Sequence, residues 1–138
     1  MSTRCHVEIC DGSAGDGVLL YHHSDGYPSF QRPKLHRYLE GAFARLTAAG
    51  YPYWWDSERV AALLVMLSAG NYEKPAEPEA NGVPVYQPAH SVHGDIEWFY
   101  SVLLDPAAQG KYTIEVRKDK GGPLIETVKM GQPASAEA

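Results

Sequence analysis

Residues 4–10, "RCHVEIC", alternate side chains in the period-2 manner of a strand with two different faces. "VLLYHH" (18–23) is a second extended run, and the turn-forming "DGSAGDG" (11–17) between them predicts a β-hairpin. The period then changes. Leu35, Tyr38, Leu39, Ala42, Phe43, Leu46 and Ala49 recur at i, i+3, i+4 and i+7, the spacing of an amphipathic helix. Pro33 suits its first turn and Gly50 the position after its last. Asp56 is placed to cap a second helix to about Ala69, with Gly70 ending it. Val60, Leu63, Leu64 and Leu67 form its buried stripe, widened by Ala61, Val65 and Met66.

"NYEKPAEPEANG" (71–82) reads as a polar surface loop. "VPVYQPAHSVHG" (83–94) is extended but broken by prolines, as an edge strand or an irregular segment would be. "DIEWFYSVLL" (95–104) is the clearest strand, with Ile96, Trp98, Tyr100, Val102 and Leu104 on one face. "KYTIEVRK" (111–118) and "LIETVKM" (124–130), separated by turns, complete an antiparallel meander. The order β-β-α-α-β-β-β predicts one α+β domain over residues 1–130: an antiparallel sheet of about five strands covered on one face by two helices. "GQPASAEA" (131–138) reads as a disordered tail.

The chain's 138 residues are enough for one domain with a real core. No run approaches the roughly 20 apolar residues that span a bilayer, and no basic-then-apolar leader opens the chain. A cytoplasmic protein without a membrane partner is expected. The formal charge of −5 disfavours wide contact with a nucleic-acid backbone, yet falls short of the dense acidic runs of a DNA mimic. Cys5 and Cys10 would point to opposite faces of one strand, with Cα atoms about 17 Å apart. A disulfide needs less than about 7 Å, so both are expected as free thiols.

Chemistry-bearing side chains collect in two places, Tyr21 to Pro28 ("YHHSDGYP") and His90 to Trp98 ("HSVHGDIEW"). On an extended strand His93, Asp95 and Glu97 would face one way, about 6.8 Å apart per two residues. Neighbours at that spacing can share an ion, with a further ligand from His22, His23 or Asp25. His23, Asp25, His93 and Asp95 are therefore candidate ligands of a divalent zinc, manganese or iron cofactor, with Glu97 as general base of a hydrolase or nuclease. The spacing matches no standard zinc motif, so no cofactor follows firmly. In the structural alternative Asp95 and Glu97 occupy a solvated strand face, Asp25-Gly26 forms a turn through positive φ at the glycine, and Tyr27-Pro28 packs under the first helix. Ser24 and Ser91 lack a G-x-S-x-G elbow, and "DGSAGDG" carries acids where a phosphate would sit. Tyr51, Tyr53, Trp54 and Trp55 are expected to fill the gap between helix and sheet.

The motifs "STR" (2–4), "YHHSDGYP" and "HGDIEWFY" together resemble a family of small proteins from bacteriophages, prophages and bacterial genomes. Its members carry Tyr-Arg-His-(Ser or Trp)-Asp-Gly-Tyr-Pro and, later, His-Gly-Asp-Ile-Glu-Tyr-(Leu or Phe)-Tyr. The resemblance covers residues 2–28 and 93–104. Carried over by position, it points to His23, Asp25, Gly26, Tyr27 and Pro28, and to His93, Gly94, Asp95, Glu97 and Tyr100. The departure is His22, where the family has arginine, so a fixed cationic clamp is not expected there. The resemblance implies an accessory factor that binds host proteins such as defence systems.

The leading expectation is thus a non-enzymatic protein-binding module. Its surface would comprise Tyr21, His23, Asp25, Tyr27, His93, Asp95, Glu97 and Tyr100. A metal-dependent hydrolase is the second reading. A structural or self-assembling homo-oligomer, with both motifs serving only the fold, is the third.

Overall fold

In the computed structural model, residues 3–12, 17–23, 26–50, 56–69, 82–105 and 111–129 are described. Strands β1 (Cys5–Cys10) and β2 (Val18–His22) form the antiparallel hairpin, with Cys5 opposite His22 and Ile9 opposite Val18. Gly17 belongs to the hairpin because a Cβ there would lie 2.3 Å from the Ile9 carbonyl oxygen.

Helix α1 spans Pro28–Ala49, beginning one and a half turns before the apolar stripe predicts. Pro28 takes the first turn and Pro33 lies inside the helix on an exposed position. The early turns bury Gln31 and Arg32, polar side chains that hydrophobic periodicity cannot register. Gly50 ends α1 at φ 75°, its N–H reaching the carbonyls of Leu46 and Thr47. Helix α2 spans Ser57–Ser68 and starts at the expected cap, where Asp56 Oδ1 accepts from the Arg59 N–H at 2.7 Å. Asp11 also holds this end, its Oδ2 accepting from Ser57 N–H at 2.8 Å.

Strands β3 (Tyr86–Pro88), β4 (Trp98–Leu104), β5 (Tyr112–Arg117) and β6 (Leu124–Lys129) complete one six-stranded sheet of order β3-β2-β1-β4-β5-β6. The α+β class and the helical cover are as expected. The sheet is mixed rather than wholly antiparallel, because β1 and β4 run parallel while every other neighbouring pair is antiparallel. The three-residue β3 is the reason. It returns the chain to β1's direction at the outer side of β2, and residues 89–97 then cross over β2 and β1 to deliver β4 in that same direction. That crossover also moves the start of β4 from 95 to Trp98. The expected β4–β5–β6 meander is present.

One face of the sheet packs under the helices. Val7, Ile9, Leu20, Tyr100, Val102, Ile114 and Val116 meet Leu35, Leu39, Phe43, Val60 and Leu64 in a single core. Polar side chains tie the layers. Tyr86 Oη donates to Gln31 Oε1, and Arg32 Nε lies 3.2 Å from Glu126 Oε1, clamping α1 onto β6. Both cysteines are free; burial pushes the Cys5 thiol up to about 12 and Cys10 to about 11. Neither is a ready nucleophile. No helix among the described residues is long and apolar enough to cross a membrane. The expectations for Ser24, Asp25, Tyr51, Tyr53, Trp54, Trp55 and Gly70, for most of the 71–82 loop and for the 131–138 tail lie outside the described residues.

Candidate functional site

Thr3 and Arg4 prolong β1 between its two neighbours and join the two sequence motifs. The Gly26 N–H donates to Thr3 O at 2.8 Å, and the Glu97 N–H donates to Arg4 O at 2.9 Å. Both motifs therefore reach the same end of the sheet. Gly26 is required by space. Its φ is not positive, contrary to the turn expectation, but a Cβ would stand 2.7 Å from Thr3 O and 2.9 Å from Cys5 Cβ.

On the helix-covered side Tyr100 Oη donates to the Gly26 carbonyl at 2.6 Å. Tyr100 is fully buried, and that burial drives its phenol far above the ordinary range. A side chain without exposed surface offers a partner no contact area, so Tyr100 supports the site from beneath. His22 is also buried on this side, edge-on to Tyr86, with Nε2 accepting from Lys34 Nζ at 3.4 Å.

On the other side the crossover is held by rings. His6 is fully buried although no helix covers it. Its Nδ1 lies 2.8 Å from the Leu20 carbonyl, while Nε2 accepts from the His93 N–H at 2.8 Å. Those two partners select the neutral ring with its proton on Nδ1. Burial lowers the His6 pKa, outweighing the Leu20 carbonyl, which raises it. His93 stacks on Tyr21 with centroids 4.0 Å apart and planes 17° apart. Tyr21 Oη is hydrogen-bonded to Nδ1 of the exposed His23 at 3.1 Å, and burial followed by the Asp95 charge raises the Tyr21 phenol. Like Tyr100, the buried Tyr21 works as a support and gives little contact area.

The carboxylates behave differently from the strand expectation. Residues 93–97 turn before β4 begins, so His93, Asp95 and Glu97 do not line one strand face. His93 faces Tyr21, Asp95 Oδ2 pairs with Arg4 Nε at 3.4 Å, and both Asp95 and Glu97 are exposed. Among the described residues, no three of His, Cys, Asp and Glu converge where they could hold a metal ion.

Tyr27 and Phe30 project into solvent from the start of α1, 36% and 54% exposed. Their rings meet edge to face at 5.0 Å and 87°, a favoured aromatic geometry. Tyr27 therefore does not pack under the helix as the structural alternative expects. Phe30 and His6 are absent from the residues singled out by sequence, and Arg4 enters there only as the end of the "STR" motif, without a site role. Phe30 lies off the apolar stripe of its helix, and that was the available signal. His6 had only its place opposite Cys5 and Val7 in the strand alternation. No family model matches the chain, and comparison with curated proteins and with solved structures finds no match.

Proposed function

We propose that the protein is a non-enzymatic binding module, an accessory factor of the phage or mobile-element kind that engages a host protein in the host cytoplasm. The observation that carries this reading is the exposed Tyr27–Phe30 pair at the same end of the sheet as the exposed Asp95 and Glu97. Aromatic area beside hydrogen-bonding groups is the composition of a recognition surface. The rings of the buried Tyr21 and His6 and of the half-buried His93, together with the buried Tyr100, fix the backbone that presents it. A rigid support lowers the ordering cost of association. The excess of acidic over basic side chains favours a partner with a basic face. The resemblance of the two motifs to small phage and prophage proteins supports a host factor, such as a defence component, as that partner.

The test is affinity capture from a bacterial lysate with the wild type, the Tyr27→Ala/Phe30→Ala double variant and the Asp95→Asn/Glu97→Gln double variant. A protein held by the wild type and lost from both variants, at unchanged melting temperature, supports the surface. Equal retention by all three overturns it. Metal analysis of the same samples separates the hydrolase reading. Stoichiometric metal whose removal lowers the melting temperature would favour ligands from His23, Asp25, His93 and Asp95 with Glu97 as base.

A further inference from the structure

Arg32, His36 and Glu40 recur every fourth residue along one flank of α1. The sheet answers the first two. Arg32 pairs with Glu126 of β6, and Tyr112 Oη of β5 lies 2.5 Å from His36 Nδ1. Glu40 is half-buried, yet its Oε2 is closed to solvent and takes no hydrogen bond from the described residues. Tyr112 is buried with its ring against Phe43, centroids 5.4 Å apart, and its phenol is pushed up by burial and then by the Glu40 charge. A carboxylate oxygen kept from water and left without a donor is costly. In native proteins such an orphan points to stored strain, a catalytic role, or a bound water or ion.

The neighbouring donor decides which ion fits. Residues four apart on a helix stand over one another, so the His36 imidazole and the Glu40 carboxylate share one turn of α1. With Nδ1 engaged by Tyr112, Nε2 is the nitrogen left for a ligand. Magnesium and calcium take mostly oxygen ligands, whereas imidazole with carboxylate suits zinc. We propose that His36 and Glu40 bind a zinc ion, with solvent completing its coordination and Tyr112 Oη accepting from Nδ1 to orient the ring. A hydrogen bond from the second nitrogen is the usual support of a ligating histidine. Both ligand side chains are half-exposed, so the ion and its waters enter from solvent. The zinc supplies Glu40 Oε2 with the partner that the chain does not. The site shares no residue with the recognition surface proposed above, nor with the His23, Asp25, His93 and Asp95 ligand set, and rests on neither.

The test titrates zinc into the metal-free full chain by calorimetry and follows the melting temperature in parallel. Zinc is expected to bind saturably at about one ion per chain and to raise the melt, and excess magnesium should not displace it. His36→Gln and Glu40→Gln should each weaken zinc by about tenfold or more, since each removes a ligand. Tyr112→Phe keeps the ring packed on Phe43 and removes only the oxygen. It should weaken zinc by about tenfold, the usual effect of losing a ligand's support, and leave the stoichiometry unchanged. Without metal, Glu40→Gln should melt no lower than the wild type, because it removes a charge whose Oε2 has no partner. A lower melt would show that Glu40 already has its partner within the fold, and overturns the site. So does the absence of saturable zinc binding. Zinc retained by His36→Gln but lost from a His23→Gln/His93→Gln variant belongs to the hydrolase reading, and overturns this site as well.

Discussion

Strand β1 shows two kinds of interior within one run of six residues. Cys5, Val7 and Ile9 face the helices and disappear into a continuous apolar core. His6 and Glu8 face the other way and are nearly as deeply buried, but under an irregular crossover and the turn that carries Lys120. The first face is held by apolar area, which is non-directional and insensitive to pH. The second is held by directional contacts: one imidazole nitrogen on a backbone N–H, one ring stack and one carboxylate on Gly17. Damage to the first should therefore lower stability at every pH. Damage to the second should depend on protonation and act mainly on the crossover. The surface proposed to bind is presented by the second kind of interior, where small changes can be tuned without unfolding the domain.

The largest effect should come from the apolar side. Leu64 is fully buried between α2 and the sheet, and Leu64→Ala should cost about 2–5 kcal/mol through lost transfer energy and the cavity left behind. Urea denaturation should show the loss unchanged between pH 6 and 8, on the order of the working range of the assay. A loss that varied with pH would mean that the two faces are not energetically separable. Next is Gly26→Ala, at the joint between the faces. The new Cβ would meet Thr3 O and Cys5 Cβ inside 3.0 Å, and overpacking of this kind costs about 1–3 kcal/mol. It should also disturb the amides of Gly26 and Glu97, both of which bond to the displaced Thr3–Arg4 pair.

The contrast explains what the sequence could convey. The helix-covered face was legible because its determinants are periodic: Leu35 to Leu46 in α1, Val60 to Leu67 in α2 and the alternation of Trp98 to Leu104. The start of α1 was hidden because its first buried residues, Gln31 and Arg32, are polar and are accommodated by Tyr86 and Glu126, far away in sequence. The parallel β1–β4 pairing was hidden because it depends on which face the 89–97 crossover takes, a choice made by His6 and Tyr21 across more than seventy residues. The same crossover removed His93, Asp95 and Glu97 from strand geometry, so spacing rules for a strand misplaced them. Tyr27 was legible as a surface residue of the first motif. Glu8 was not, since alternation alone reads a charged residue opposite Val7 as solvated.

The polar face should respond to acid. His6 is held neutral, with a pKa below its ordinary 6.5 chiefly because of burial, opposed by the Leu20 carbonyl and the Asp95 charge and assisted by His93 and Lys120. Native structure thus favours the unprotonated ring. Its contribution is fully present above pH 6.5 and is lost progressively as pH falls through that value and through the lower folded pKa. Protonation also places a donor at Nε2, where the His93 N–H needs an acceptor. Chemical denaturation at pH 8, 6.5 and 5, on the order of one unit either side of a histidine's usual range, should show stability falling with acid. His6→Asn should flatten that slope while lowering stability at pH 8. A wild-type slope matched by the variant would assign the acid sensitivity to other groups.

The smallest effect expected on the fold is at the Arg4–Asp95 pair, and that smallness is what makes it useful. The two side chains are 32% and 59% exposed at 3.4 Å, so solvent screens them and exposed pairs of this type contribute at most about 1 kcal/mol. Asp95→Asn keeps the side chain's size and removes its charge. The melting temperature should barely move, because Glu97 N–H still bonds Arg4 O and His93 N–H still bonds His6. Capture of a partner should weaken, and raising the salt concentration should weaken wild-type capture toward the variant's level, since the removed attraction is electrostatic. A variant that melts markedly lower would place Asp95 among the supports of the crossover, joining it to His6 and Tyr21. A variant that keeps both its melt and its partner would confine recognition to Tyr27 and Phe30, leaving the aromatic pair to carry the surface without the acid beside it.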